Sequence, residues 1–301
     1  MNAESVLNLK IQDCDYLCLS GSRLYGTFTE QSDYDYRGYI IPPFEYLIGN
    51  KRFECKELPE DDHKVYSLKR FLELALRGDP LIIESFFVPE DKIIKKSKTS
   101  DIVLGLKDDI ISNVIYSRII GYSHSEWRKA MGEKAVLEKR DRTEDTVIND
   151  IREVFKPSKG QMDSIIKTLY EDRELKIVPS KKGIGGKRKK EFDKYGYGVS
   201  SAAHSIRLLG QLHELMTNGI MTFPRPIAGV LKDVRYGRMS KKAVEQLYEM
   251  HRATVEEVRD ASVLPDKPNR KKVWDAYLEI ISNFLYNDNR YYEFECYVQG
   301  K

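Results

Sequence analysis

A chain of 301 residues, 41% hydrophobic and 32% charged, can bury a proper core in one or two domains and carries the surface of an ordinary globular protein. Its formal net charge of +3 argues neither for nor against a nucleic-acid partner, and no apolar run approaches the roughly 20 residues needed to cross a bilayer. The four cysteines, Cys14, Cys18, Cys55 and Cys296, form neither a C-x-x-C pair nor a zinc-like cluster. With no signal peptide in residues 1–12, they read as reduced thiols of a cytoplasmic protein.

Residues 11–20 and 34–41 are apolar and aromatic enough to be strands flanking a Gly21-Ser22 turn. Between them, residues 23–27 open a short helix. Pro42-Pro43 ends the second strand, residues 44–62 read as irregular, and residues 63–67 form a third strand around Val65 and Tyr66. A helix follows over 68–77, with Leu68, Phe71, Leu72, Ala75 and Leu76 at helical spacing and Gly78 at its end. Asp79-Pro80 reads as an N-cap followed by Pro at the first helical position. From about residue 100 helical periodicity dominates, with candidate helices at 101–112, 114–131, 148–154, 161–170, 199–218, 241–263 and 271–285. Lys and Arg crowd residues 173–194, which read as a solvated loop or as a flexible basic arm that neutralises phosphates.

Asp33 and Asp35 stand at alternate positions entering a strand, so they project from one face and can share a cation. Carboxylate oxygens suit Mg²⁺, whose shell is usually completed by water and substrate phosphates. The Gly21-Ser22 turn supplies backbone N–H groups and a hydroxyl for such phosphates, and Gly21 permits close approach. These parts describe a site for metal-assisted phosphoryl-type transfer. No nucleophile elbow or Walker loop competes with it.

Gly21-Ser22-Arg23-Leu24-Tyr25-Gly26-Thr27, followed by Ser32-Asp33-Tyr34-Asp35-Tyr36-Arg37-Gly38, resembles the polymerase-β-type nucleotidyltransferase superfamily, in a branch of bacterial and phage members associated with RNA repair. The resemblance continues through Val65-Tyr66-Ser67-Leu68, Phe71-Leu72, Gly78-Asp79-Pro80, the stretch from Tyr197 through His204 to Arg207-Leu208, and Leu264-Pro265 with Pro268-Asn269. It covers about residues 15–285. One departure is clear: where members carry Lys in the 197–207 helix, this chain has Ser200 or Ser201, and the basic run at 181–190 is a candidate substitute.

What the resemblance implies is an α+β protein: an N-terminal polymerase-β-like nucleotidyltransferase domain over 1–115, a small mixed sheet with helices, and a mainly helical domain over 116–301. The cleft would lie between them. Asp33, Asp35 and Asp62 would be the catalytic and metal-binding acids for Mg²⁺ or Mn²⁺, with Glu60 and Asp61 as adjacent alternatives to Asp62. Gly21, Ser22, Arg23, Thr27, Arg37, His204 and Arg207 would bind the nucleotide. Thr27 and Ser32 also read as turn-forming hydroxyls. The bland alternative for His204, Arg207 and Gln211 is the wet face of an amphipathic helix. The substrate would be a nucleoside triphosphate and the acceptor an RNA hydroxyl, with no membrane partner and an oligomeric state left open. Transfer to a protein side chain of toxin–antitoxin type, a non-catalytic RNA-binding protein, and a small-molecule nucleotidyltransferase are the rivals.

Overall fold

The computed structural model describes residues 10–30, 32–47, 52–58, 63–132 and 186–287. By its contacts the chain divides into two compact units, Met1–Trp127 with Val199–Lys301, and Arg128–Gly198. The expected boundary at 115/116 falls inside a helix, Val114–Ala130. The large C-terminal helices group with the sheet, because apolar faces on both sides of residues 199–218 are buried there.

The first unit is built on a five-stranded sheet: β1 (Tyr16–Ser20), β2 (Asp35–Ile40), β3 (Cys55–Leu58), β4 (His63–Ser67) and β5 (Ile93–Lys96), in the order β3-β4-β2-β1-β5. The pair β1/β2 is antiparallel, with Ser20 opposite Asp35 and Cys18 opposite Arg37. Strand β4 runs parallel to β2, placing Lys64 opposite Arg37, and antiparallel to β3, placing Glu57 opposite Lys64. One rung of the ladder therefore carries Glu57, Lys64, Arg37 and Cys18 side by side on one face, with Ser20 and Asp35 a step further along it.

That face is covered by helices α3 (Leu68–Leu76) and α4 (Pro80–Ile83). Tyr16 and Tyr39, both fully buried, stack at 5.8 Å, and the aromatic cluster continues to Phe71 at 5.0 Å and from there to Phe86 at 5.8 Å. The Tyr16 hydroxyl donates to the Ser85 carbonyl at 2.7 Å, which satisfies its buried polar end. The opposite face buries Cys14, Leu17, Ile40 and Val65. The cap foreseen at Asp79 is made, its carboxylate accepting from Leu81 N at 3.1 Å, and α3 is capped as well, the Ser67 hydroxyl accepting from Arg70 N at 3.2 Å.

The short helices are α1 (Gly21–Tyr25), α2 (Phe44–Leu47), α5 (Lys98–Gly105) and α6 (Lys107–Ile110). Longer ones follow: α7 (Val114–Ala130), then α8 (Gly186–Tyr195) in the second unit, and α9 (Val199–Asn218), α10 (Ala228–Arg235), α11 (Lys241–Glu257) and α12 (Arg270–Asn287) back in the first. Several details differ from expectation. Residues 11–13 form a 3-10 turn ahead of β1, and α1 begins at Gly21 rather than Arg23. The stretch expected to be irregular at 44–62 contains α2 and β3, whose alternation is masked by charged residues on an edge strand. The single helix expected at 101–112 is two, α5 and α6. Helices expected at 148–154 and 161–170 lie outside the described residues.

Helix α9 is buried nearly all round. Ile206, Leu208 and Leu212 are fully buried, and so is Ser205, whose hydroxyl pairs with that of Ser123 on α7 at 2.9 Å. Trp127 and Tyr248 stack almost parallel at 3.9 Å, tying α7 to α11. In the second unit, Gly198 N donates to Ala130 O at 2.8 Å, closing the end of α7 onto the segment after α8.

Candidate active site

The edge of the sheet where β1 runs into α1 opens into a cleft of about 390 Å³, all of it within the first unit. Asp35 and Arg37 of β2, Lys64 of β4 and Glu57 of β3 line one side; Ser20, Gly21 and Tyr25 line the end; Leu81, His204 and Arg207 line the other side. The cleft exists because β1 ends on a bend that only glycine makes. Gly21 has φ of +65°, in the left-handed region, and a Cβ there would stand 1.8 Å from Oδ2 of Asp35. The Asp35 carboxylate is thus held against the Gly21 bend.

Asp33 is exposed and lies in the segment before β2, outside the residues that line the cleft. The side chains of Tyr34, in that segment, and Tyr36, within β2, stack at 6.3 Å. Asp62, with Glu60 and Asp61, lies outside the described residues. Among the described residues no group of three or more His, Cys, Asp or Glu stands together in a manner that could hold a metal ion. The donors at the Gly21 end of the cleft are oxygens, from Asp35 and Ser20.

Arg37 donates through Nη1 to the Leu81 carbonyl at 3.1 Å, while its buried Nε has no hydrogen-bond partner. A buried guanidinium N–H without an acceptor in a polar cleft suits an anionic ligand. Lys64, half-exposed beside it, reaches Glu57 at 3.5 Å. Sequence reading missed Lys64 and Glu57, although the alternation His63-Lys64-Val65-Tyr66 puts Lys64 on the face opposite Val65.

Three expected nucleotide contacts stand elsewhere. Arg23 turns away from the cleft: its Nη2 donates to the Ser32 carbonyl at 2.7 Å, and its guanidinium lies 3.8 Å from the Tyr34 ring and 5.3 Å from that of Phe28. It pins the loop between α1 and β2 instead of clamping phosphate, since the loop's carbonyls and rings offer it acceptors and a π-face at short range. Thr27 is buried and turns the chain, its N donating to Ser22 O at 2.9 Å; it does not line the cleft. Ser22 likewise is not among the lining residues.

Arg207 lines the cleft from below, but as part of a buried network. Its Nη1 donates to Glu84 Oε1 at 2.5 Å and to Gln211 Oε1 at 2.6 Å, and its guanidinium lies 3.8 Å from the Tyr25 ring. The Tyr25 hydroxyl donates to the other Glu84 oxygen at 2.7 Å, and Gln211 Nε2 donates to Glu84 Oε1 at 3.1 Å. Glu84 is 2% exposed and Arg207 4%, so the expectation of a wet helix face is wrong. Desolvation raises the Tyr25 pKa, opposed by Arg207 and reinforced by Glu84, so the phenol stays a donor. Glu84 was missed as well; its signal is a lone acid inside the apolar run Leu81-Ile82-Ile83-Glu84-Ser85-Phe86-Phe87. His204, one turn before Arg207 on α9, also lines the cleft; it is half-buried, with its ring edge-on to Tyr122 at 5.3 Å.

A mixed sheet, a glycine bend feeding a carboxylate strand, and a helical layer closing the cleft make up a polymerase-β-like nucleotidyltransferase fold. The chain belongs to the RNA repair pathway DNA polymerase beta family, whose model it matches over residues 12–265. It is also 24% identical to an uncharacterised 38.9 kDa protein from the nrdC–mobD intergenic region of Enterobacteria phage T4, over 91% of this chain and 97% of that protein. No solved structure matches it. None of the described helices is long and apolar enough to cross a membrane.

Proposed function

We propose that the protein transfers a nucleoside monophosphate from a nucleoside triphosphate to an acceptor hydroxyl on RNA, releasing pyrophosphate. The observation that carries this reading is the Asp35 carboxylate held against the Gly21 bend, at the head of a cleft whose flank presents Arg37 and Lys64. A triphosphate tail needs an open backbone bend and cations, and a divalent ion needs carboxylates that leave room for phosphate oxygens.

Asp35, with Asp33 and Asp62, would hold Mg²⁺ or Mn²⁺. The oxygen donors at the Gly21 end of the cleft, from Asp35 and Ser20, fit such an ion. Bound there, the ion would lower the pKa of the attacking hydroxyl and neutralise the leaving pyrophosphate. The chain's own groups do the rest. Arg37, through its unpaired Nε, and Lys64 bind the phosphates and offset their charge. His204 at the opposite wall positions the sugar or base. The acceptor oxygen bonds the α-phosphorus while the bond to the β-phosphate oxygen breaks, that oxygen keeping the electron pair. The hydroxyl proton passes to a carboxylate, a role suited to Asp62. Positioning and charge compensation supply most of the acceleration.

Incubation with each labelled nucleoside triphosphate, Mg²⁺ or Mn²⁺ and total RNA tests this. Label entering RNA in the wild type and lost in Asp35→Asn is the expected result. Label entering protein instead would favour a protein-modifying transferase, and Mg²⁺-dependent nucleotide binding that survives Asp35→Asn would overturn the site.

A further inference from the structure

A second cleft, of about 520 Å³, opens beside the first. Its walls are the end of α3 with Arg77, the Asp79–Leu81 turn, and the face of α7 that carries Ser117, Arg118 and Tyr122. The two clefts meet at two points. Leu81 lines both, and Tyr122 of the second packs edge-on against His204 of the first at 5.3 Å.

The walls are brought together by one close approach. Gly78, with φ of +72°, ends α3, and a Cβ there would stand 2.9 Å from the Ile115 Cα of α7. This packing sets Arg77 and Arg118 on facing walls. Both are exposed, and neither forms an ion pair among the described residues. The acid nearest in sequence, Asp79, is committed to capping α4 through Leu81 N and Ile82 N. At Gly121 the wall is bare, with nothing within 4 Å of a would-be Cβ.

Two uncommitted guanidiniums, a hydroxyl and a tyrosine around an open trough match a single nucleic-acid strand: guanidinium forks suit phosphodiesters, and an aromatic ring stacks a base. We propose that this second cleft holds the single-stranded RNA acceptor, its backbone on Arg77 and Arg118 and its terminal hydroxyl delivered past Leu81 and Tyr122 into the nucleotide cleft. The inference rests on the function proposed above and adds the location of its acceptor.

The test measures binding without turnover. A short fluorescein-labelled single-stranded RNA is titrated by anisotropy against wild type, Arg77→Gln/Arg118→Gln and Tyr122→Leu, with Mg²⁺-dependent nucleotide binding followed separately. The arginine pair is exposed, so the double variant is expected to melt with the wild type. Its RNA affinity should fall at least tenfold, and the slope of log affinity against log salt should become shallower by about 1.4, or about 0.7 for each of two phosphate contacts. Tyr122→Leu should lose about tenfold in affinity with the salt slope unchanged, as a stacking contact carries no charge. Nucleotide binding should persist in the arginine variant. Unchanged RNA affinity in that variant overturns the assignment, as does wild type that binds nucleotide and labels only polypeptide. Asp35→Asn separates the two readings: it should lose transfer yet bind RNA as the wild type does, so a failed acceptor cleft and a failed active site give different results.

Discussion

Gly21 and Asp35 occupy space that neither can share: the position a Gly21 Cβ would take lies 1.8 Å from Asp35 Oδ2 and 2.7 Å from its Cγ. The bend is therefore glycine for two independent reasons, its φ of +65° and the carboxylate packed against it. Gly21→Ala should cost about 1–2 kcal/mol of stability from backbone strain, a modest loss. Its effect on function should be larger, because the methyl displaces the Asp35 carboxylate. Isothermal titration should show Mg²⁺-dependent nucleotide affinity falling more than tenfold, while thermal melting shifts by only a few degrees. Equal affinity would mean that Asp35 does not face the nucleotide.

The Glu84–Arg207 pair, at 2.5 Å and almost fully buried, is the structural keel under the cleft. Removing one partner leaves a desolvated charge, so Glu84→Gln or Arg207→Met should each destabilise by about 3–5 kcal/mol. The double replacement should recover part of that loss, and denaturant unfolding of the four proteins in a double-mutant cycle measures the coupling. Additive losses would contradict the pairing.

Arg23 holds the loop after α1 through the carbonyls of Ser32 and Asp33 and the ring of Tyr34. Arg23→Ala should release that loop. Amide hydrogen exchange over residues 28–34 should rise by an order of magnitude or more, corresponding to about 1–2 kcal/mol of local stability. Lys at this position should restore little, because it lacks the planar fork that meets two carbonyls and a ring at once.

Burial pushes the Asp15 carboxyl from 3.8 up to about 6, against the Ile41 amide and the charge of Lys95, which pull it down. The folded chain thus keeps a proton that the unfolded chain releases between those values. This contribution is fully present below the unfolded value and is lost as pH rises through about 6. Asp15→Asn keeps an acceptor for Ile41 N, which donates to Asp15 Oδ2 at 2.6 Å, and removes the titration. Chemical denaturation from pH 4 to 8 should show the variant gaining on the wild type as pH rises, by about 2 kcal/mol over that range. Parallel pH profiles for the two proteins would contradict this.

Much of the framework was legible because it depends on near neighbours. Alternation set the face of β2, helical spacing with Gly78 marked α3, the Asp79 cap announced α4, and helical spacing marked α9 over residues 199–218, where the structure has it. Edge strand β3 escaped, because charge on both faces erases the period that a half-buried strand displays.

The sequence by itself determined the Gly21-Ser22 bend and the face that carries Asp35 and Arg37, since backbone geometry over a few residues decides both. Only the tertiary structure decided which charges are free. Arg207 is taken by Glu84, 123 residues away in the chain, and Arg23 by the loop beside it, whereas Arg37 keeps an unpaired Nε in the cleft. The reason is physical: an arginine's long side chain looks the same in sequence wherever it stands, and only packing determines which acceptor it meets out of water.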